Sequence, residues 1–244
     1  MRGAMALLWL LLPLFALAAS VDEDVERYIA IFRGNPMFHA SAAESLAWMG
    51  LSDTRLYDVI EERLRTDYPV PREMKTERAR IAWYIRALGF SGQEKYAPTI
   101  QTFLQDRDYV GYARHALKDL PDYKIWNPVI ADRKSFDPRL SDQANRIINM
   151  LRASDFRLKE VGAKRVYFER PGEPAVLDTL AAELLAAYPG ADSRNNDEIA
   201  WMVKALGATR NEKYRPVVQE VADKATDAKI ARHARSSLDA FAKR

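Results

Sequence analysis

Apolar residues recur along this chain with the spacing of an α-helix. Ile81, Ile85 and Leu88, for example, fall at positions i, i+4 and i+7. This spacing places the three side chains on one face of a helix, and no long alternation of the kind that marks a strand occurs in the sequence. Gly89 follows where a helix would end on a left-handed residue. The pattern therefore predicts short amphipathic helices.

The same pattern divides the chain beyond residue 20 into helix pairs. The predicted pairs are Val21–Arg33 with Met37–Met49, Thr54–Asp67 with Lys75–Leu88, Glu94–Gln105 with Tyr109–Leu120, Ser141–Arg152 with Phe156–Glu169, Pro174–Tyr188 with Arg194–Leu206, and Glu212–Asp223 with Asp227–Ala242. Residues 121–140, between the third and fourth pairs, are rich in Pro and aromatic residues and predict a linker or strap.

The two halves of the chain, residues 21–120 and 141–244, repeat one another. Ile81–Ile100 and Ile199–Val218 are identical at half of their positions without a gap, and both contain Glu-Lys-Tyr followed by Pro. The same offset of 118 residues places Ala-Arg-His-Ala at 113–116 onto Ala-Arg-His-Ala at 231–234. A period of about 40 residues is typical of helical repeats, whose pairs bury their apolar faces only by stacking. The predicted fold class is an all-α, right-handed α-solenoid of about six helix pairs in two repeated halves.

One segment resembles a known repeat. Ala87–Leu117 reads ALGxxGxEKYxPxIxxxLxDRDxxxxARHAL and is similar to the HEAT-like repeat first described in phycobilisome lyases. The resemblance is weaker over Ala205–Leu238, where Arg210 replaces Gly92. It implies stacked helix pairs and leaves the activity open, because such repeats occur in scaffolds, adaptors and some enzymes.

The first twenty residues differ from the rest of the chain. Arg2 precedes the apolar run MALLWLLLPLFALAA, and small residues up to Ser20 offer cleavage sites before an acidic stretch. These features predict a signal peptide over residues 1–20 and a periplasmic or secreted protein without a membrane span after cleavage; the alternative is a retained anchor. The chain contains no cysteine, so it cannot form disulfide bonds, and a lipoprotein acylated on cysteine is disfavoured.

Charge and motifs exclude several kinds of chemistry. Lys and Arg total 37 against 34 Asp and Glu, a balance that argues against nucleic-acid binding. Neither a zinc motif nor a phosphate-binding loop is present, so we expect no metal, no cofactor and no catalytic residue. His115 and His233, which occupy equivalent positions of the two halves, are expected to be buried packing residues.

Basic residues concentrate in the second helix of each predicted pair. Together with two aromatic residues of the predicted linker, they form the candidate partner-binding set: Arg78, Arg80, Arg86, Lys118, Tyr123, Trp126, Lys164, Lys204 and Arg235. Because the second helices usually line the concave face of a HEAT-like stack, this set predicts a basic groove suited to an acidic partner. The alternative is that these cations pair within the fold.

The sequence therefore predicts a monomeric, non-enzymatic, exported binding or adaptor scaffold. A protein is the expected partner, and an anionic envelope polymer is the second candidate. The rival interpretations are an accessory subunit that positions an envelope enzyme and a polysaccharide- or peptidoglycan-binding protein that uses Tyr123 and Trp126.

Overall fold

The computed structural model describes residues 20–69 and 74–242. The α-helices of these ranges are α1 (Val21–Arg33), α2 (His39–Ser45), α3 (Thr54–Asp67), α4 (Lys75–Phe90), α5 (Ala97–Thr102), α6 (Val110–Ile130), α7 (Asp142–Arg152), α8 (Phe156–Glu169), α9 (Pro174–Ala187), α10 (Asn196–Ala208), α11 (Arg215–Lys224) and α12 (Ala228–Ala242). Short 3₁₀ turns extend several of them. The predicted fold class, an all-α solenoid of HEAT-like helix pairs, is confirmed.

The helices form two rows. In the second-helix row, α4 packs between α2 and α6, and α10 packs between α8 and α12; α1 packs on α3, and α7 on α9, in the other row. The apolar stripe predicted in α4 faces the core, where Ile81, Ile85 and Leu88 are fully buried. The stacking of pairs thus buries the faces that no single pair could cover.

The prediction that Gly89 ends its helix with a left-handed residue is wrong. Gly89 lies inside α4, and the left-handed conformation belongs to Gly92, with φ of +67°. Gly89 permits close helix packing instead, because a Cβ atom there would lie 2.6 Å from the carbonyl oxygen of Ala116 on α6. A glycine at this distance from a neighbouring backbone marks a helix contact as readily as a helix end.

The repeated Glu-Lys-Tyr motif joins neighbouring helix pairs. The Lys95 ammonium lies 2.6 Å from the Asp58 carboxylate of α3, and the Tyr96 hydroxyl donates a hydrogen bond to the same carboxylate at 2.8 Å. In the second half, the Lys-Tyr pair of the motif makes the same two contacts with Asp178 of α9, at 2.5 and 2.8 Å. The motif recurs because each half needs the same link between consecutive pairs.

The predicted linker is half helix. The third pair is predicted to end at Leu120, but α6 continues without a break to Ile130 and contains Pro121 and Pro128. Proline in a helix removes one backbone hydrogen bond and is tolerated where other contacts hold the helix. Only residues 131–140 form an irregular connection, which includes a 3₁₀ turn at Arg133–Ser135.

Close packing of two turns holds the extended end of α6. The Asn127 side-chain amide donates to the carbonyl oxygen of Phe90 at 2.9 Å. Both neighbouring turns contain a glycine with positive φ, Gly50 and Gly92, and a Cβ atom at either would lie within 3.0 Å of the α6 backbone. The end of α6 therefore passes against the turns that follow the first two helix pairs.

The first helix pair contacts both the second pair and the fourth. Asp22 and Glu26 of α1 form ion pairs with Arg55 of α3 at 2.5 and 3.0 Å. Asp24, about 200° around the helix from Asp22, pairs with Arg146 of α7. The two halves thus meet through buried charges of α1 and α7 as well as through α6.

The predicted signal peptide falls almost entirely outside the described residues. Ser20 is described and caps α1: its hydroxyl accepts a hydrogen bond from the Glu23 amide, and the Glu23 carboxylate accepts one from the Ser20 amide. This reciprocal cap satisfies two backbone donors at the start of α1. Among the helices of residues 20–69 and 74–242, none has the length and apolar character that crossing a membrane requires.

Candidate functional site

The predicted basic groove is interrupted by internal ion pairs. The Arg80 guanidinium lies 3.2 Å from the Asp67 carboxylate, and the Arg86 guanidinium lies 2.8 Å from that of Asp119. All four side chains are largely shielded from solvent. These two arginines therefore pair within the fold, as the alternative interpretation proposes.

The two aromatic residues of the candidate set are not exposed. Tyr123 and Trp126 lie in α6 and are buried, with exposed fractions of 3% and 4%. The Tyr123 hydroxyl donates to the carbonyl oxygen of Ala47, and the Trp126 indole donates to the Asp155 carboxylate, each at 2.9 Å. Their predicted role as an exposed binding platform is wrong, because the segment that contains them is a packed helix.

Three of the remaining candidates, Arg78, Lys118 and Arg235, are exposed on different helices. Lys164 and Lys204 come together. Their ammonium groups lie 5.0 and 4.3 Å from the ring centroid of Trp201, and Lys164 is also 2.8 Å from Glu160. These two cations of the predicted set therefore share the face of Trp201.

Beside Trp201 the second-helix row opens into a cavity of about 340 Å³, here called the basic pocket. Its walls come from the end of α8, from α10 with the turn that follows, and from α12. The lining residues are Tyr167, Arg170, Trp201, Lys204, Gly207, Ala208, Arg210, His233, Ser236, Ser237 and Ala240. Aromatic rings form one side of the pocket, because Tyr167 packs edge-on against Trp201 at 5.7 Å.

Charges of one sign line the basic pocket. Arg170, Lys204 and Arg210 are cationic, and no carboxylate is among the lining residues. His233 responds to this environment: desolvation, followed by the charges of Lys204, Arg232 and Lys229, lowers the pKa of its imidazole. The pocket therefore disfavours a further positive charge and favours an anion.

The equivalent position of the first half contains acids. Lys204 follows Arg86 by 118 residues, and at the same offset Ser237 stands where Asp119 pairs with Arg86. Ala240 likewise stands for an aspartate, residue 122, and Ala208 for a phenylalanine, residue 90. The second half thus keeps the cation and loses both the acid that would neutralise it and the bulk that would fill the space.

Two arginines of the pocket have left-handed backbone conformations. Arg170 follows α8 with φ of 49°, and Arg210 follows α10 with φ of 51°. The conformation costs a residue with a side chain about 1–2 kcal/mol relative to the right-handed region. Glycine occupies the equivalent of Arg210 in the first half, at Gly92. Strained positions of this kind concentrate at functional sites.

The pocket includes residues to which the sequence gave other roles. His233 is predicted to be a buried packing residue but is half-buried in the pocket wall, and its counterpart His115 is exposed. Trp201 packs partly against the core and partly lines the pocket. The sequence signal that points to the site is Arg210, which stands at the place of Gly92 in the first half. In the described residues, no cluster of His, Asp or Glu could hold a metal ion.

Comparisons with known proteins add little about function. No family model matches the chain, and no curated protein matches it. A solved structure of human deoxyhypusine hydroxylase in complex with glycerol is similar over 91% of this chain and 85% of that one, with 13% identity and a TM-score of 0.39. At this identity and TM-score, neither the role of a residue nor an activity can be inferred for this chain from that structure. The prediction that the chain is not an enzyme is contradicted by this neighbour, which is an enzyme by its name, and is withdrawn without an activity being assigned to the chain.

Proposed function

We propose that this protein binds a partner through an anionic group that enters the basic pocket. The observation that supports this proposal is the loss of internal acids: the first half neutralises Arg86 with Asp119, whereas Ser237 leaves Lys204 without a carboxylate. A cation held in a partly enclosed site without a counterion attracts an anion from solution. Lys204 is half-buried in the pocket, and Arg170 and Arg210 are exposed at its edge.

The size and lining of the pocket suit one charged group with an apolar neighbour. About 340 Å³ is at the lower end of the range of ligand pockets. Hydrogen bonds to charged groups contribute about 1.5–3 kcal/mol each, and Trp201 and Tyr167 offer aromatic surface beside the cations. The partner therefore presents an anion next to an apolar or flat moiety.

The basic pocket is a smaller binding surface than the groove that the sequence predicts along the second helices. The binding surface is the C-terminal part of the second-helix row, and Arg80 and Arg86 of the first half belong to internal ion pairs. A protein remains the first candidate for the partner, and an anionic envelope polymer remains the second. Export to the periplasm or the medium, which rests on the signal-like first residues, remains part of the proposal.

The experiment is a titration with inorganic sulfate, followed by the ring resonances of the histidines in NMR spectra. We expect a saturable shift of the His233 resonance and little change at His115, the exposed equivalent on α6. Arg210→Gly, which introduces the residue of the first half, should weaken sulfate binding by about fivefold or more.

Arg235→Gln is the matched control variant. Arg235 is exposed on α12, about 200° around the helix from His233, so removal of its charge should leave the titration unchanged. Equal, non-saturating shifts at both histidines would mean that sulfate does not occupy the pocket, and the proposed function would be wrong.

A further inference from the structure

We infer that the partner is another protein that docks the acidic first turn of a helix in the basic pocket, against α10 and α12. This inference rests on the proposed function and names the class of its anion. It comes from an arrangement inside the chain itself, in which the first half receives the start of a helix at the equivalent place. In the second half, the equivalents of two α6 positions that receive this helix start, residues 237 and 240, lie on α12 without their acids.

In the first half, the N-terminus of α8 docks on α6. Asp155, which caps α8, accepts a hydrogen bond from the Trp126 indole at 2.9 Å. Two residues later, the Arg157 guanidinium lies 2.6 Å from the Asp122 carboxylate and 5.3 Å from the ring centroid of Trp126. A helix start thus binds α6 by placing a cation among the acids of α6.

The second half offers a surface whose charges are reversed. Ser237 and Ala240 of α12 replace the two aspartates that receive Arg157, and Lys204 and Arg210 stand close by in the pocket wall. A side chain that enters here in the manner of Arg157 meets cations, so a carboxylate is the complementary group. The site of an internal ion pair has become a site for an external acid.

The acid fits best on the first turn of a helix. Asp and Glu are favoured there, because they interact with the free amides and the positive end of the helix dipole. The approach also matches that of α8, which meets α6 with its first residues. The occupant is therefore an acidic helix start and not an extended acidic tail.

An exposed aromatic residue next to the pocket supports a protein partner. Phe168 is 67% exposed, and its ring centroid lies 5.0 Å from that of Tyr167 and 6.5 Å from that of Trp201. Exposed aromatic side chains at the edge of a charged pocket are typical of protein interfaces. An apolar residue of the docked helix can pack on Phe168 while its acidic turn occupies the pocket.

The test compares two labelled helical peptides of about 16 residues that have the same composition. One carries its glutamates in the first turn, and the other carries them in the last turn. Binding to the full chain is measured by fluorescence anisotropy, with labelled dextran sulfate as an anionic polysaccharide probe. We expect the first peptide to bind about tenfold more tightly than the second.

Ser237→Asp is the decisive variant, because it restores the acid of the first half at residue 119. The new carboxylate should neutralise Lys204 and weaken binding of the first peptide by about tenfold, with thermal unfolding retained. Phe168→Ser should weaken peptide binding and leave sulfate binding unchanged. Arg235→Gln serves again as the control.

The outcomes separate this inference from the proposed function. If sulfate binds at His233 but the two peptides bind equally, or dextran sulfate alone binds, the anion site stands and the helix-start partner is wrong. If Ser237→Asp leaves peptide binding intact, the docking mode is wrong. If neither sulfate nor any other probe binds, the proposed function itself fails.

Discussion

Asp24 and Arg146, which are 122 positions apart in the chain, form a buried ion pair between α1 and α7. Their side chains are only 1% and 5% exposed. Arg133 reaches the same carboxylate at 3.3 Å, and Arg27 reaches it at 2.5 Å from the solvent side. The buried Asp24 carboxylate therefore joins α1, the first helix of one half, to α7, the first helix of the other.

Arg146→Ala should destabilise the protein by about 3–5 kcal/mol, because it leaves Asp24 with too little compensation in a buried site. Urea unfolding followed by circular dichroism measures the loss. Arg27→Ala is the control: its side chain is 54% exposed, and the loss should stay below about 1 kcal/mol. Similar losses for both variants would contradict a special role for the buried pair.

Arg210→Gly should leave the protein as stable as before or about 1 kcal/mol more stable. Glycine relieves the left-handed backbone, and its greater freedom in the unfolded chain offsets part of that gain. Arg235→Gly, inside α12, should instead cost about 1 kcal/mol. If both variants lose stability equally, the strain at Arg210 is compensated by contacts of its side chain.

Gly92→Arg, the reverse exchange in the first half, should destabilise the protein by about 1–3 kcal/mol or more. A Cβ atom at Gly92 would lie 2.5 Å from the Lys124 amide nitrogen, so the end of α6 must move. Gly172→Ala, where a Cβ atom would meet nothing within 4 Å, is the control and should be nearly neutral. Thermal unfolding of both variants decides the point.

Tyr96→Phe and Tyr214→Phe should each lower the free energy of unfolding by about 0.5–1.5 kcal/mol, since each removes one hydrogen bond to an aspartate of the preceding helix pair. Similar losses of stability in the two variants would confirm that the motif links consecutive helix pairs in both halves. A loss confined to one half would contradict this equivalence.

The aspartates of the same links predict a pH dependence. The bound lysines, Lys95 and Lys213, hold the pKa of Asp58 and Asp178 below the ordinary value. As the pH falls, the two aspartates are therefore protonated in the unfolded chain before they are protonated in the folded chain. The stabilisation by these ion pairs is lost as the pH falls below about 4. Asp58→Asn should cost stability at neutral pH, and the difference from the unchanged protein should shrink in acid. A difference that is constant with pH would contradict the ion pair's contribution.

Sulfate binding should strengthen as the pH falls from about 7.5 to about 5.5. In the free protein, desolvation and the nearby cations lower the pKa of His233, and a bound anion favours its protonated form. The charged groups around it are Lys204 on α10, Lys229 and Arg232 on α12, and Arg170 and Arg210 after α8 and α10. Sulfate keeps its charge over this range, so the change reports on the protein.

His233→Gln should bind sulfate with an affinity that no longer changes over the same pH range. In the protein without an anion, the lowered pKa of His233 affects folding stability in the opposite direction. The unfolded state takes up the proton more readily than the folded state, so stability declines as the pH falls through the pKa of the unfolded state. A pH dependence that survives in His233→Gln would assign it to another group.

The sequence alone determined the helices and their pairing. Helical periodicity is a local property, so the predicted pairs match the observed helices closely, and the duplicated Glu-Lys-Tyr motif marks equivalent positions of the two halves. The sequence-based predictions for Gly89 and for the end of α6 are wrong. A close backbone contact decides the position of Gly89, and tertiary packing decides where α6 ends.

Only the tertiary structure decided which charges are available to a partner. Arg86 and Lys204 are equivalent in sequence, yet Arg86 pairs with Asp119 of a neighbouring helix, whereas Lys204 lines a pocket that has Ser237 and no carboxylate among its lining residues. Neutralisation and burial depend on side chains that lie far apart along the chain and meet only when the pairs stack. For that reason the periodic pattern could predict the solenoid, whereas the basic pocket became visible only with the folded chain.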